Sequence, residues 1–299
     1  MRRVRCARAL LLCALACGTA RADGAGPVWT LHRPGHGTVY VAGSVHVLDV
    51  ARSALPSGFE TAWREAEQVV MEIDMDDLDP GVAATFVATH GRFTDGETLR
   101  SLLGPERFAR LDGATRALGL PLDSVAPLEP WAVALALTQL QLLKLGLDPN
   151  HGVEQQLTAW ARRDGKPLTG LETVEDQLGA LDGLSYPDQA RFLELTVDEG
   201  DTMAGELDRL LRAWRDADTA TLERLLLDEF ARMPTLYGPL VTDRNHRWLP
   251  QIEALTARDD DTLVVVGALH LVGPEGLLAL LRKRGFTPEL LGEAILTPQ

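Results

Sequence analysis

The chain has 299 residues, of which 45% are apolar and 24% charged, and its formal net charge is −14. That length suffices for one large α/β domain or two small ones. The acidic balance argues against nucleic acid or an anionic membrane surface as a partner. After the N-terminal segment no apolar run reaches the about 18 residues needed to span a bilayer, so we expect no membrane span.

The N-terminal segment has the pattern of a signal peptide. Four arginines stand among the first eight residues, an apolar stretch covers 9–16, and Ala20-Arg21-Ala22 matches the small-residue cleavage pattern. We therefore predict a signal peptide over 1–22, cleavage after Ala22, and a periplasmic or secreted protein. Lipid attachment at Cys17 is the second alternative, because an alanine stands where such a site usually has leucine.

Cleavage at that point changes both the charge and the redox chemistry of the protein. It removes five arginines and no acids, which moves the net charge from −14 to −19. All three cysteines, Cys6, Cys13 and Cys17, lie before the cut. The mature chain is therefore expected to have neither a disulfide nor a reactive thiol.

The first half of the mature chain predicts strands followed by a helical region. Short strands over 28–32 and 38–42 flank a glycine turn, a helix covers 56–68, and the next strand, 69–74, ends in Glu72 and Asp74. Apolar periodicity and Gly or Pro punctuation then predict helices over 81–89, 98–103, 105–118 and 130–145.

The second half predicts more helices around two further strands. A helix over 153–163 precedes a strand over 167–171, and Thr173 with Asp176 has the spacing of a capping box. Two long helices over 186–232 and one over 241–257, opened by Thr242, follow. Because no Gly-, Ser- or Pro-rich linker occurs, we predict one domain over 23–299 with a helical insertion at about 80–146 and 185–240.

The strand over 262–267 is the most apolar of the chain. It contains Val264-Val265-Val266 and lies between acidic residues and Gly273-Pro274, which indicates a strand buried on both faces. A helix from Pro274 through Arg284 and short strands over 287–291 and 294–297 complete the chain.

A G-x-x-H motif occurs twice. The central strand ends in Gly267-Ala-Leu-His270, and the strand over 38–42 leads into Gly43-Ser-Val-His46. One such motif is a weak signal, but two that each follow a hydrophobic strand suggest one site built from two halves.

Acidic residues join these histidines at the ends of predicted strands. Glu72 and Glu172 follow their strands as His46 and His270 do, and carboxyl ends of parallel strands meet at one sheet edge. Two imidazoles and a carboxylate suit Zn, Mn or Co, which makes bound water a nucleophile near neutral pH. Taken singly, each residue has a structural explanation: an acid can cap a helix, and Arg244 can form an ion pair.

The motifs and their surroundings resemble the TraB/PrgY/GumN family, to which the Tiki peptidases are related. The matching segments cover most of the mature chain in order: 43–49, 55–74, 152–178, 244–250 and 264–286. The resemblance implies an α/β fold with a central mixed sheet built from two ββα units that carry the G-x-x-H motifs. It also places the chain in a superfamily with erythromycin-esterase-like and ChaN-like proteins.

The resemblance also implies roles for individual residues. His46 and His270 would bind the metal together with Glu72, which would also take part in catalysis. Glu172, Arg244 and Asn245 occupy other motif positions and would line the pocket. Glu154 stands where an aspartate is expected, and we assign it no chemistry.

The motifs and the resemblance suggest three alternative functions. The first is a secreted hydrolase, peptidase-like, that uses a divalent metal (Mn, Co or Zn) to activate water on a peptide or small-molecule substrate. The second is a non-catalytic protein of the same fold that binds or sequesters a peptide or ligand. The third is a metal-independent esterase in which a histidine activates water. A serine nucleophile elbow is not expected, because G-x-S-x-G does not occur. Oligomeric state and the identity of the substrate stay open.

Overall fold

The computed structural model of the protein describes residues 24–76, 80–199 and 203–292. The predicted signal peptide, the three cysteines and the predicted strand over 294–297 lie outside the described residues.

A six-stranded mixed sheet organises the fold, and this agrees with the predicted α/β class. The strands are β1 Val28–His32, β2 Thr38–Ser44, β3 Leu48–Asp49, β4 Gln68–Met71, β5 Leu147–Asp148, β6 Leu168–Gly170, β7 Thr262–Gly267 and β8 Glu289–Leu290. The strand order in the sheet is β6-β4-β7-β2-β1-β8, in which β6, β4, β7 and β2 run parallel while β1 and β8 are antiparallel to their neighbours. Strands β3 and β5 form a separate two-stranded ribbon.

Strand β7 lies between β4 and β2, and all six of its residues are buried. Its β-branched run suits a strand covered on both faces. The register pairs Gly267 with Ser44 on β2 and Val265 with Met71 on β4. The three strands therefore end at the same edge of the sheet.

Helices cover the sheet and form two further apolar clusters. The main core includes Phe59, Trp214 and Trp248, and the other clusters surround Leu137 and Trp131. Among the described residues no helix has the length and apolarity to cross a bilayer. The helices are α1 Ser57–Glu65, α2 Pro80–His90, α3 Leu99–Ala117, α4 Leu122–Val125, α5 Pro130–Lys144, α6 Val153–Asp164, α7 Val174–Asp182, α8 Tyr186–Glu199, α9 Met203–Arg215, α10 Thr219–Ala231, α11 Pro234–Tyr237, α12 Asp243–Leu255, α13 Ala268–Leu271 and α14 Leu277–Lys283.

The helical stretches α2–α5 and α8–α11 lie where the sequence predicts a helical insertion. The division of the chain into a signal peptide and one domain stays a prediction. The break predicted near 216–218 between the helices over 186–232 is confirmed, because α9 ends at Arg215 and α10 begins at Thr219.

The strand predicted over 69–74 is shorter than expected, because β4 ends at Met71. Backbone pairing continues past its end, where the amides of Leu171 and Glu172 donate to the carbonyls of Met71 and Glu72 at 2.8 and 2.9 Å. This pairing sets Glu72 and Glu172 side by side at the sheet edge.

Two predicted helix starts are wrong. Thr242 does not cap α12, because the preceding residues Gly238–Thr242 already form a π-helical turn and its hydroxyl bonds back to the Gly238 carbonyl. The last helix begins at Leu277 rather than Pro274, because Gly273 has φ +86° and the amide of Gly276 closes a turn onto its carbonyl.

Candidate functional site

The site is centred on Gly267, at the end of β7. A Cβ added to Gly267 would lie 3.2 Å from Glu72 Oε1, 3.6 Å from His270 Cδ2 and 3.9 Å from His46 Nε2. Both motif histidines and the acid after β4 therefore meet over one backbone position. A side chain at position 267 would intrude among them, and glycine keeps that space open.

Gly43 and Gly267, the glycines of the two G-x-x-H motifs, have different structural roles. A Cβ on Gly43 would lie 3.0 Å from Leu271 Cδ1 and 3.3 Å from Ala268 Cα, so Gly43 allows α13 to pack closely on β2. His46 follows β2 in an exposed loop, whereas His270 lies inside α13 and is 5% exposed. The two motifs are thus built differently, and their interpretation as two ββα units stays a prediction.

His46 is oriented by a carboxylate that the sequence analysis left out. Its Nδ1 lies 2.9 Å from Glu154 Oε1, and the same oxygen accepts a hydrogen bond from the Ser44 hydroxyl. The loop is fixed to the start of α6 because the Val153 amide donates to the Val45 carbonyl at 3.1 Å. These contacts leave Nε2 of His46 facing Gly267.

The charge of Glu154 controls the ionisation of His46. The charge of Glu154 and its hydrogen bond raise the pKa of His46 to about 9. Because 67% of the His46 side chain is exposed, solvent weakens this interaction. Burial opposes ionisation of Glu154, but the charge of His46 and the hydrogen bonds from His46 and Ser44 together outweigh burial and lower the pKa of Glu154.

His270 is held in one tautomer by Asn245. The Asn245 amide nitrogen donates to the carbonyls of His270 and Glu275 at 3.2 and 2.8 Å, so its oxygen faces His270 Nδ1 at 2.7 Å. Nδ1 must then carry the proton, and Nε2 accepts from Arg244 Nη1 at 3.2 Å. Asn245 itself is completely buried.

Burial also keeps His270 neutral. It lowers the pKa of His270 to about 4, and the charges of Arg244 and His46 act in the same direction, while Glu72 opposes them. His270 is therefore an uncharged imidazole near neutral pH, and its Nε2 lone pair accepts the hydrogen bond from Arg244.

Glu72 is a buried carboxylate with three hydrogen-bond donors. Its Oε1 accepts from the Gly267 amide at 2.6 Å, and its Oε2 accepts from Arg244 Nη2 at 2.6 Å and from Gln177 Nε2 at 3.1 Å. Oε1 also lies 3.9 Å from His270 Nε2. The donors fix the carboxylate beside His270 and Gly267.

The pKa of Glu72 is held at about 2. Burial alone would raise it, but His270 (protonated at such acid pH), Arg244, His46 and the Gly267 amide together outweigh burial. Glu72 is therefore ionised over the whole physiological pH range.

Arg244 links the two acids behind the site. It is 6% exposed, its Nη2 lies 2.6 Å from Glu172 Oε1 as well as from Glu72 Oε2, and its guanidinium stacks over Trp248 at 4.6 Å. Burial raises the pKa of Glu172, and the bonds to Arg244 oppose that rise. Both oxygens of Glu172 are bonded to Arg244 Nε, so Glu172 holds Arg244 rather than facing the histidines.

The structure thus brings all six predicted site residues together in one cluster: His46, Glu72, Glu172, Arg244, Asn245 and His270. Sequence reasoning missed Glu154 and Gln177. The signal for Glu154 was its place directly after Gly152-Val153, in a segment that resembles the family.

The side chains at the site are of the types that bind divalent cations. Both histidines hold an oxygen at Nδ1, which is the usual arrangement of metal-ligating histidines, and Glu72 Oε1 and His46 Nε2 both lie near the space over Gly267. His46, with a pKa of about 9, must release its Nε2 proton before it can bind a metal. Within the described ranges no three acidic, histidine or cysteine side chains are already gathered closely enough to hold a metal. Arg244 Nη1 lies on the lone pair of His270, so metal binding requires this hydrogen bond to break.

Comparisons with known proteins place the chain in a family. The family model of the TraB/PrgY/gumN family matches residues 27–290. The "Uncharacterized protein YbaP" of Escherichia coli (strain K12) is 27% identical over 259 residues, which cover 86% of this chain and 92% of that protein. An uncharacterized protein of Treponema pallidum (strain Nichols) is 22% identical, over 92% of this chain and 88% of its own length. No solved structure matches significantly. The chain belongs to the TraB/PrgY/gumN family.

Proposed function

We propose that this protein is a secreted or periplasmic metal-dependent hydrolase, related to the Tiki peptidases, that activates water on a peptide substrate. The observation that carries the proposal is the convergence of His46, His270 and Glu72 over Gly267, with each histidine fixed through Nδ1 by an oxygen acceptor. The superfamily with erythromycin-esterase-like and ChaN-like proteins, and its two ββα units, belong to this proposal.

The residues divide into ligands and positioning groups. His46 Nε2, His270 Nε2 and Glu72 would hold Mn, Co or Zn, and the ion would supply Lewis acidity and a water of lowered pKa. A carboxylate with a pKa of about 2 is a poor proton acceptor, which favours Glu72 as a ligand over Glu72 as a general base. Glu154 and Asn245 would orient the imidazoles.

Arg244, which is held by Glu172, forms an ion pair with Glu72. The guanidinium is shared between Glu172 and Glu72, so it compensates two buried carboxylates in a region of low dielectric. In the proposed function this pair holds Glu72 in place and keeps the local negative charge from exceeding what one divalent ion balances.

One observation favours a second candidate, a peptide-binding protein without catalysis. Arg244 already bonds both Glu72 and His270, so the buried charges of the site are satisfied without a metal. A protein that keeps this arrangement permanently would retain the cleft and lack the reaction.

Metal titration separates the two. Mature protein freed of metal by chelator is titrated with Mn, Co and Zn in a calorimeter, beside the variants His46→Ala and His270→Ala. His36→Ala is the control, because His36 lies in the β1–β2 turn and contacts Asp259 on the surface. The proposal expects a single site that both site variants lose and the control keeps. Absence of binding by all three ions would refute it, and peptide binding without turnover would then support the second candidate.

A further inference from the structure

A cleft opens beside the cluster and shows what part of a substrate would lie there. It has a volume of about 180 Å³ and reaches both His46 and Glu72. Resting on the proposed function, we infer that this cleft binds one uncharged apolar side chain of a peptide, next to the bond that is cleaved.

The lining combines an apolar wall with the ionisable groups of the site and two glutamines. Met71, Ile73 and Met75 come from the end of β4 and the segment after it, and Pro149 faces them from the turn after β5. Methionine is flexible and polarisable, so such a wall adapts to apolar groups of different shape. The surroundings of the cleft therefore favour leucine, methionine or similar side chains.

The volume of the cleft suits one amino-acid side chain rather than a large ligand. Drug-sized ligands occupy pockets of about 300–1,000 Å³, whereas a cavity of about 150 Å³ holds a molecule the size of benzene. The cleft of about 180 Å³ lies at this lower end. A single leucine- or phenylalanine-sized group fills it, and a sugar chain does not.

Two amide side chains at the cleft suit the backbone of a peptide. Gln177 donates a hydrogen bond from Nε2 to Glu72, and the carbonyl oxygen of Gln177 remains as an acceptor. Gln155 lies exposed on α6 at the rim of the cleft. Amides both donate and accept, as a peptide group requires. They carry no charge that would compete with the site.

The charges around the cleft disfavour the other substrate classes. No lysine, arginine, tryptophan, tyrosine or phenylalanine is among the described residues that line it, so phosphate groups lack a cation and sugar rings lack a stacking surface. The carboxylates of Glu72 and Glu154 already have cationic partners in Arg244 and His46, so neither has a charge left to pair with a basic side chain. An acidic side chain finds no lysine or arginine in the described lining to pair with.

Binding of blocked amino acids tests this without turnover. The N-acetyl amides of leucine, methionine, glycine, glutamate and lysine are titrated by NMR into the chelated mature protein. Burial of an aliphatic side chain predicts roughly tenfold or more tighter binding of the leucine and methionine probes than of the glycine probe. Met75→Lys should abolish the difference, whereas Met75→Leu should keep it. Val50→Lys is the control, because Val50 is an apolar residue 69% exposed outside the cleft.

The outcomes separate this inference from the proposed function. Equal binding of all probes, tighter binding of a charged probe, or no binding at the solubility limit would overturn the inference. Hydrolysis of peptides without an apolar preference would overturn it too and leave the proposed function intact. An apolar preference that Met75→Lys removes, in a protein that binds no metal, would keep the inference and refute the hydrolase.

Discussion

Replacement of Gly267 by alanine tests, with a single added methyl group, whether His46, His270 and Glu72 meet over this residue. The added carbon would lie 3.2 Å from Glu72 Oε1 and 3.9 Å from His46 Nε2, in the space that the two side chains share. The backbone at Gly267 has φ −52° and ψ 138°, which alanine adopts without strain. The perturbation is therefore confined to the site.

The expected stability change is small and the functional change large. Alanine restricts the unfolded chain and gains about 0.4–1 kcal/mol, while the 3.2 Å contact obliges Glu72 to move by a few tenths of an ångström. These effects oppose each other, so the free energy of unfolding should change by less than about 1 kcal/mol. Misplacement of reacting groups by about 1 Å can cost about 100-fold in turnover, so a shift of a few tenths of an ångström should lower turnover measurably, and metal affinity should fall with it.

Gly43→Ala is the comparison variant, in which a loss of stability should accompany any loss of metal affinity because α13 carries His270. Its Cβ would meet Leu271 Cδ1 at 3.0 Å and the backbone of Ala268 at 3.3 Å, so α13 must shift. Overpacking of this kind costs about 1–3 kcal/mol. Urea unfolding and calorimetric metal titration of both variants distinguish the two roles. Wild-type metal affinity in Gly267→Ala would refute the placement of the site over this glycine.

Three further predictions concern the charges of the site. Glu154→Gln should lower the pKa of His46 from about 9 toward its ordinary value in an NMR titration; an unchanged pKa would exclude Glu154 as the cause. Arg244→Met should cost about 3–5 kcal/mol, because it leaves buried carboxylates without a partner, whereas Arg162→Met breaks only a surface pair and should cost less than about 1 kcal/mol. In chelator, the free energy of unfolding should fall by on the order of 3 kcal/mol as the pH drops from 6.5 to about 4. In this range the His270 side chain binds a proton in the unfolded chain but stays neutral in the folded protein. The variant His270→Gln should flatten the dependence of the unfolding free energy on pH.

The parts of the fold that follow from local patterns were predictable. The apolar run of β7 and the glycine turn between β1 and β2 gave strands at the right places, and the capping box of Thr173 and Asp176 is confirmed by reciprocal hydrogen bonds. The grouping of His46 and His270 with the acids followed from one rule, that parallel strands end at a common edge.

The errors arise where distant segments decide the structure. The position of Glu72 just past β4 is set by pairing with Glu172, a hundred positions later, and no local signal marks it. Likewise, the bond between His46 and Glu154 depends on packing of the His46 loop against the start of α6. An acid in the first turn of a helix has an ordinary explanation, so its partner could not be read from spacing alone.

A crystal structure of the mature protein soaked with Zn or Co, with anomalous data at the metal edge, tests the central claim most directly. The account predicts one strong peak about 2.0–2.2 Å from Nε2 of both His46 and His270 and from a Glu72 oxygen, with Arg244 withdrawn from His270. A site still closed by Arg244, with metal bound elsewhere or not at all, would contradict it.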